Sequence, residues 1–447
     1  MSLQDRPQTL AGWLDRQQSV HAKNIDLELS RVAAVARRLG VDRPRCPVIT
    51  VGGTNGKGSV VAHLEAMLRC AGVTTGVFTS PHLVRYNERV RVSSVAVSDE
   101  ALIAAFDRIE DARRDITLTY FEYSTLAALL VFLEHAVEAV ILEVGLGGRL
   151  DATNIVDASV AVVASIGFDH RDWLGDTLED IGREKAGIFR SGRPAVLGSP
   201  DMPKSMFSVI ESLGAKPIVA ERDFVWQVEE KSWSYRGPRW SFDGLPPSAL
   251  PGAIQYRNAA TAIAALEGLE VGWAESSKPN AADTQKNVGL RGLSPTYGPA
   301  QFIAAGLRSV ELSGRFQIVP GPVEWILDVA HNEPAARVLA EHLRERPCKG
   351  RTFAVISVLG DKDIAAIGHV LRPAIDQWIL CSLDEPRGLS ATELRRRFAL
   401  PDNQAVTLAD SVAVGCERAR LLAKPGDRVI ACGSFLVVGA ALQWLRL

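Results

Sequence analysis

The stretch VITVGGTNGKGSVVAHL, residues 48–64, decides the fold. Val48–Val51 is a short β-rich apolar run, and after Lys57 the residues Val60, Val61, Leu64, Met67, Leu68 and Ala71 recur at helical spacing until Gly72 supplies a stop. The pattern is therefore strand, glycine turn, helix. Gly52, Gly53, Gly56 and Gly58 let the backbone turn tightly, so that its N–H groups can point at phosphate oxygens, and the following helix dipole adds to that attraction. Lys57 can reach β- and γ-phosphates. The usual spelling of such a loop is G-x-x-x-x-G-K-[ST]. Here Gly58 follows Lys57 and the hydroxyl arrives one place late, at Ser59. The plainer alternative is a glycine-rich turn carrying an exposed lysine.

At 447 residues the chain is too long for one ordinary core, so two domains are expected. Fifty Lys and Arg against 52 Asp and Glu leave a formal charge of −2, which argues against a broad nucleic-acid footprint and leaves room for a local anion site. The six cysteines are scattered without a C-x-x-C pair, as in a reduced, intracellular protein. No run of 18 apolar residues occurs and the N-terminal stretch lacks a signal-like apolar core, so a cytoplasmic protein with no membrane partner is expected.

Further apolar runs at 139–144, 160–166 and 194–198 alternate with helical patterns, which predicts a parallel sheet covered on both faces. Between 220 and 245 aromatic and polar residues alternate around Gly-Pro and Asp-Gly turns, predicting antiparallel hairpins appended to that sheet. A helical pattern starts at Asn258. Residues 273–300 lose periodicity and read as a loop or partly disordered insertion, with a last helix over the AQFIAAGLRSV stretch. From 311 a second βα series begins, with strands expected at 325–327, 352–358, 378–381 and 429–432. The reading is an α/β protein: a domain over 1–310 with a parallel sheet plus small hairpins, and a smaller Rossmann-like α/β domain over 311–447.

Two strand ends carry candidate chemistry. Glu143 ends one buried run and Asp169-His170 follow another. In a parallel sheet such positions converge on the ligand crevice, where an acid and an imidazole can hold a divalent metal. The competing roles are a Glu143–Arg149 ion pair and a capping or solvated His170.

The stretch GGTNGKGS resembles the ATP loop of the Mur ligase superfamily, whose standard spelling is Gly-Thr-Asn-Gly-Lys-Gly-Ser/Thr. HAKNIDLELSRV (21–32), SPHLVRYNERVRV (80–92), TYFEYSTLAAL (119–129), EVGLGGRLDATN (143–154), SIGFDHRDWLG (165–175), EKAGIFR (184–190), GRFQ (314–317), ILDVAHNEPAA (326–336) and GDKD (360–363) resemble, in order, the folate branch of that superfamily. Together they look like the bifunctional dihydrofolate synthase/folylpolyglutamate synthase family. The resemblance implies a Mur-ligase-type P-loop ATPase domain followed by a Rossmann-like domain. It implies ATP held by Thr54, Asn55, Gly56, Lys57, Gly58 and Ser59, with Asn258, Arg315, Asp328 and His331 approaching the nucleotide. Two Mg²⁺ sites are implied, one using Glu143 and His170 and the other Ser80. Lys185, in relatives commonly carbamylated, is expected to be so here, and with Lys57 and His170 makes the implied catalytic set. Taken alone, Glu184-Lys185 would read as a solvated surface pair, and Arg315 as a linker ion pair with Glu311. Relatives usually carry Pro-Gly-Arg where this chain has Ser313-Gly314-Arg315, and often His after Gly-Ser-Phe, where this chain has Leu436.

For the pterin substrate the resemblance points to Ile25, Asp26 and Leu27, to Thr119, Tyr120, Phe121 and Glu122, and to Leu150, Asp151 and Ala152. An acid can pair with two adjacent pterin N–H donors, and Phe121 could stack on the ring. The alternative for Asp26 is a place at a helix N-terminus opened by NIDLEL. The implied reaction is ATP-dependent amide formation through an acyl phosphate, joining L-glutamate to dihydropteroate and to folates, by a monomer whose domain closure keeps water out. The rivals are a cell-wall Mur ligase, which should lack HAKNIDL and TYFEYSTL, a P-loop ATPase, and a nucleotide-binding regulator.

Overall fold

The computed structural model describes residues 6–21, 26–276, 298–401 and 403–447. Ile25 and most of the 273–300 segment lie outside them. The chain divides into two compact units: Met1–Pro81 with Asn87–Ala249 and Tyr256–Val310, and His82–Tyr86 with Leu250–Gln255 and Glu311–Leu447.

The first unit is built on strands β1 (Val48–Gly52), β2 (Thr75–Phe78), β3 (Val90–Val92), β4 (Val95–Ala96), β5 (Ala139–Glu143), β6 (Val160–Val163), β7 (Pro194–Leu197) and β8 (Lys216–Val219), in the order β4-β3-β2-β5-β1-β6-β7-β8. From β2 to β8 every pairing is parallel, and only β3 and β4 run antiparallel at one edge. Strands β1, β5, β6 and β7 are buried along their whole length, as a parallel sheet covered on both faces requires. Register then places the functional ends: Val51 pairs with Glu143, and Gly52 with Val163. Sequence periodicity misses β2 because Gly76 interrupts its apolar run. A Cβ there would lie 2.5 Å from the Phe132 ring, so the glycine makes room for a core aromatic. It misses β8 because Lys216 and Pro217 mark an edge strand.

The expected hairpins form, but not as extensions of the large sheet. Strands β9 (Val225–Val228), β10 (Trp233–Arg236) and β11 (Ser241–Leu245) make a separate three-stranded antiparallel sheet. Its inward Trp233 and Tyr235 join the core formed with the helices Lys57–Cys70, Ile254–Ser276 and Pro299–Ser309. Helix Ile254–Ser276 also corrects the expected start of the loop: residues 273–276 stay helical, since Ala274 and Glu275 favour helix and the first proline comes only at Pro279. Likewise Pro299 and Ala300 already belong to the next helix, with proline in its first turn.

Glu267 pins the small sheet to the long helix. It is 1% exposed, and its carboxylate accepts from the Arg239 and Trp240 backbone N–H groups and from the Tyr235 hydroxyl, the last at 2.9 Å. Removing a buried acceptor leaves several donors unsatisfied. Glu267→Ala is therefore expected to lower stability by about 3 kcal/mol, measured by urea denaturation.

The second unit carries β12 (Gln317–Val319), β13 (Glu324–Asp328), β14 (Thr352–Ile356), β15 (Gln377–Cys381), β16 (Ala405–Ala409) and β17 (Arg428–Cys432), ordered β12-β13-β17-β14-β15-β16. Only β12 is antiparallel. The two edge strands, each partly exposed along most of its length, escape periodicity.

Candidate active site

The turn after β1 needs its glycines. Gly53 has φ +136° and Gly56 φ +87°, both outside the range of ordinary side chains. A Cβ on Gly53 would also lie 3.1 Å from the Ala164 and Ser165 nitrogens, and one on Gly56 would lie 3.0 Å from Asn258 Oδ1. Asn258, on the helix Ile254–Ser276 and 4% exposed, is thus brought against the loop. The helix Lys57–Cys70 starts within the loop, so its dipole is aimed there.

Two of the expected nucleotide residues have other work as well. The Thr54 N–H donates to Ser165 O at 2.7 Å, and the Asn55 N–H to Ser165 Oγ at 3.2 Å. The amides from Gly56 to Ser59 follow at the start of the helix Lys57–Cys70, where first-turn N–H groups can face a phosphate. The Lys57 ammonium lies back over its own loop, donating to Gly53 O at 3.0 Å and Thr54 O at 3.2 Å.

Lys185, on the helix Leu178–Ala186, is not a solvated surface residue: it is 5% exposed and its Nζ is 3.1 Å from Gly53 O. Burial above all, and then the charge of Lys57, push its pKa down to about 7, against the pull of Asp169 and Asp151. Its neighbour Glu184 takes the pairing proposed for Glu143, since Arg149 binds Glu184 at 2.9 Å. Glu143 instead stays buried at the end of β5, its Oε2 accepting the Ser80 N–H at 3.3 Å. His170 adopts a left-handed backbone, φ 52°, at the start of the short helix Arg171–Leu174, without a side-chain cap, and its N–H is held by Asp169 Oδ1 at 2.9 Å.

Ser80, Glu143 and His170 offer hard oxygen and nitrogen donors. Among the described residues no three His, Cys, Asp or Glu gather into a metal cluster.

A second constellation flanks this one. Arg31 binds Asp26 at 3.0 Å and Glu122 at 3.2 Å, joining two expected substrate segments. The helix nearby begins only at Leu29, so Asp26 is not its cap. Thr119 and Glu122 form a capping box: Glu122 Oε2 accepts the Thr119 N–H at 2.7 Å, and Thr119 Oγ1 the Glu122 N–H at 3.2 Å. The T-x-x-E spelling signals this directly. Phe121 is half-buried against Gly145, where a Cβ would be 2.6 Å from its ring, and Arg89 lies 5.5 Å over the Tyr120 ring. Asp151 accepts four bonds within its own loop, from Gly145 N, Leu146 N, Thr153 N and Thr153 Oγ1, at 2.6–3.0 Å. A contact between Asp151 and a substrate ring must replace one of them. Ala152 opens a 3₁₀ turn beside it, after Leu150.

In the second unit Asp328 ends β13 and accepts the Phe316 and Ala330 N–H groups, each at 2.8 Å. Burial pushes its pKa up, opposed chiefly by Arg315. The Arg315 guanidinium lies 5.3 Å over Phe435, and His331, its Nδ1 2.8 Å from Val329 O, has its ring 6.0 Å from the same phenyl. Phe435 is thus a hub that motif reading passed over. His63 is another residue missed. Fully buried, it bridges Ser59 O at 2.7 Å and Ser248 Oγ at 2.8 Å, and burial pushes its pKa down to about 4, so it stays neutral. Its position four residues after Ser59 on one helix face was the available clue.

Family models agree with the class that this loop and these sheets define: the Mur ligase middle domain matches residues 51–199, and the Mur ligase glutamate ligase domain matches 314–435. The dihydrofolate synthase/folylpolyglutamate synthase of Escherichia coli K12 is 44% identical over 438 residues, 97% of this chain and 95% of that protein. The chain belongs to the dihydrofolate synthase/folylpolyglutamate synthase family. The structure of E. coli FolC in complex with DHPP and ADP aligns with TM-score 0.87 at 42% identity, over 99% of both chains. A bifunctional folylpolyglutamate synthase/dihydrofolate synthase with Mn, AMPPNP and L-glutamate bound aligns with TM-score 0.85 at 40% identity, over 98% of both.

Proposed function

We propose that this protein is an ATP-dependent acid–amino-acid ligase that joins L-glutamate to 7,8-dihydropteroate, forming dihydrofolate, and to tetrahydrofolate, forming polyglutamates. The observation that carries the reading is the convergence of the Lys57 loop, Ser80, Glu143 and Lys185 on one end of one parallel sheet, with the loop that carries His170 bound to Thr54 through Gly167. Relatives of the same length and fold are solved with ADP, AMPPNP, Mn, DHPP and glutamate bound.

The Gly56–Ser59 amides receive the phosphates, and Lys57 leaves its own loop carbonyls for the γ-phosphate. The folate carboxylate attacks the γ-phosphorus, the bond to ADP breaks, and an acyl phosphate forms. The glutamate amine then attacks the acyl carbon, loses a proton, and phosphate departs with a C–N bond made. A divalent metal held by Glu143 and His170, and a second by Ser80, would neutralise charge on phosphoryl oxygens, with carbamylated Lys185 as an additional anionic oxygen donor. Asp26, Leu27, Thr119–Glu122 and Leu150–Ala152 form the wall offered to the pterin, with Ile25 assigned there by resemblance alone. Arg315, Asp328, His331 and Asn258 serve the nucleotide. Residues 1–310 act as the ATP-binding and central domain, and 311–447 as the C-terminal ligase domain.

The substrates are small molecules, and the enzyme works as a monomer in the cytoplasm. Six cysteines all present as thiols fit a reducing compartment, and no described helix is long and apolar enough to cross a membrane.

Phosphate release with MgATP and L-glutamate, with and without dihydropteroate or tetrahydrofolate, tests the reading. Release that needs glutamate and dihydropteroate together establishes the synthase activity, and a tetrahydrofolate response adds the polyglutamylating one. Release with ATP alone would make the protein an ATPase. His170→Ala is expected to raise the Mg²⁺ concentration for half-maximal rate by about tenfold, excess Mg²⁺ restoring part of the activity. A rate indifferent to added metal would remove His170 from the ligand set.

A further inference from the structure

We propose that Ser165 and Thr54 are positioning residues that fasten the phosphate loop to the loop carrying His170, so that nucleotide and metal affinities are set together. The inference rests on the ligase reading for the role of His170, but its geometry is independent of substrate identity.

Strands β1 and β6 pair in parallel as far as Gly52 and Val163. Beyond that point the main-chain bonds are joined by side-chain ones. Ser165 Oγ accepts the Asn55 N–H at 3.2 Å and donates to the Asn55 carbonyl at 2.9 Å. Thr54 Oγ1 accepts the Gly167 N–H at 3.0 Å and donates to the Gly167 carbonyl at 3.1 Å. Between them the Thr54 N–H donates to the Ser165 carbonyl at 2.7 Å. Each hydroxyl thus satisfies both backbone groups of one residue on the opposite loop, and the two bridges are reciprocal.

Gly53, against the Ala164 and Ser165 nitrogens, allows the approach that these bonds need. His170 follows three residues after Gly167, held through Asp169. Gly56 to Ser59 follow directly on the other side. A shift of either loop therefore moves the other, and a metal that His170 would hold beside a bound nucleotide would feel their spacing. Neither hydroxyl needs to touch substrate.

The test uses the full chain and compares Ser165→Ala, Thr54→Val and Ser165→Thr. Each bridge holds two neutral hydrogen bonds, so Ser165→Ala is expected to raise KM for ATP and the Mg²⁺ activation constant each about tenfold. KM for L-glutamate should not move, and Ser165→Thr, which keeps the hydroxyl, should restore both constants. Thr54→Val carries the same expectation if Ser165→Ala folds poorly. Constants that do not move, that move singly, or that rise along with KM for glutamate and a fall in melting temperature would overturn the proposal. If the wild type makes no amide with dihydropteroate, the function reading fails instead. The coupling is then read by titration calorimetry of ATP with and without Mg²⁺, where Ser165→Ala should erase most of the Mg²⁺ effect and an unchanged effect overturns it.

Discussion

Lys57→Ala is expected to lower the ligation rate by about 10²–10³-fold or more with the fold intact. The size follows from what the ammonium does. Charge builds on the γ-phosphoryl oxygens as the bond to ADP breaks, and a cation that moves from its loop carbonyls onto those oxygens is worth more there than in water. The fold should survive because the hydrogen bonds that the Lys57 ammonium gives to Gly53 O and Thr54 O stay within its own loop. A melting temperature within a few degrees of wild type, together with lost turnover at saturating MgATP, checks both halves. Lys57 also lowers the pKa of Lys185, so its removal should raise the pH at which Lys185 loses its proton. Turnover retained in Lys57→Ala would shift the phosphoryl-transfer role to another group.

The phosphate loop was legible because everything that defines it is local: four glycines, a lysine, an apolar run before and a helical pattern after. The central strands were legible for the same reason, being fully buried and continuous. Edge strands such as Gln317–Val319 were not, because a strand covered on one side and only a few residues long leaves no clear period. The hairpins were readable as hairpins, but not their separation into a second sheet, which depends on Trp233 and Tyr235 packing on helices far along the chain. At the site, resemblance named the motifs and physical reading gave them reasons. Neither showed that Asp151 shapes its own loop, whereas the Thr119–Glu122 capping box was spelled out locally as T-x-x-E. The Ser165–Asn55 bridge spans 110 positions, and no local pattern encodes it. The bland alternatives were also settled only by geometry. A Glu-Lys pair on a helix looks solvated until Lys185 is buried against the loop that follows the central strand β1 and Glu184 is handed to Arg149.

Lys185 gives the prediction with the sharpest pH signature. Its folded pKa of about 7 lies well below the ordinary 10.5 of a lysine. Between those values the unfolded chain holds a proton that the folded chain has released. Stability therefore rises with pH from about 7 to about 10.5, by up to about 1.4 kcal/mol per pH unit, while below pH 7 the cost of burying the charge is present in full. Lys185→Met, without a titrating group, should lack this rise, so the difference in stability between the two proteins should change with pH in that window and stay flat below it. The same released proton makes the amine a nucleophile near neutrality: its nitrogen attacks CO₂, a C–N bond forms, and one proton leaves, giving a carbamate anion. With ¹³C-bicarbonate and Mg²⁺, a carbamate carbon resonance is expected that Lys185→Met lacks and that acid removes. Activity of Lys185→Met should fall by about 10²-fold or more if that anion orders the metal and phosphate. A flat stability difference across pH 7–10 would mean that Lys185 keeps its proton in the folded protein, and CO₂ would then have to compete with that proton for the amine.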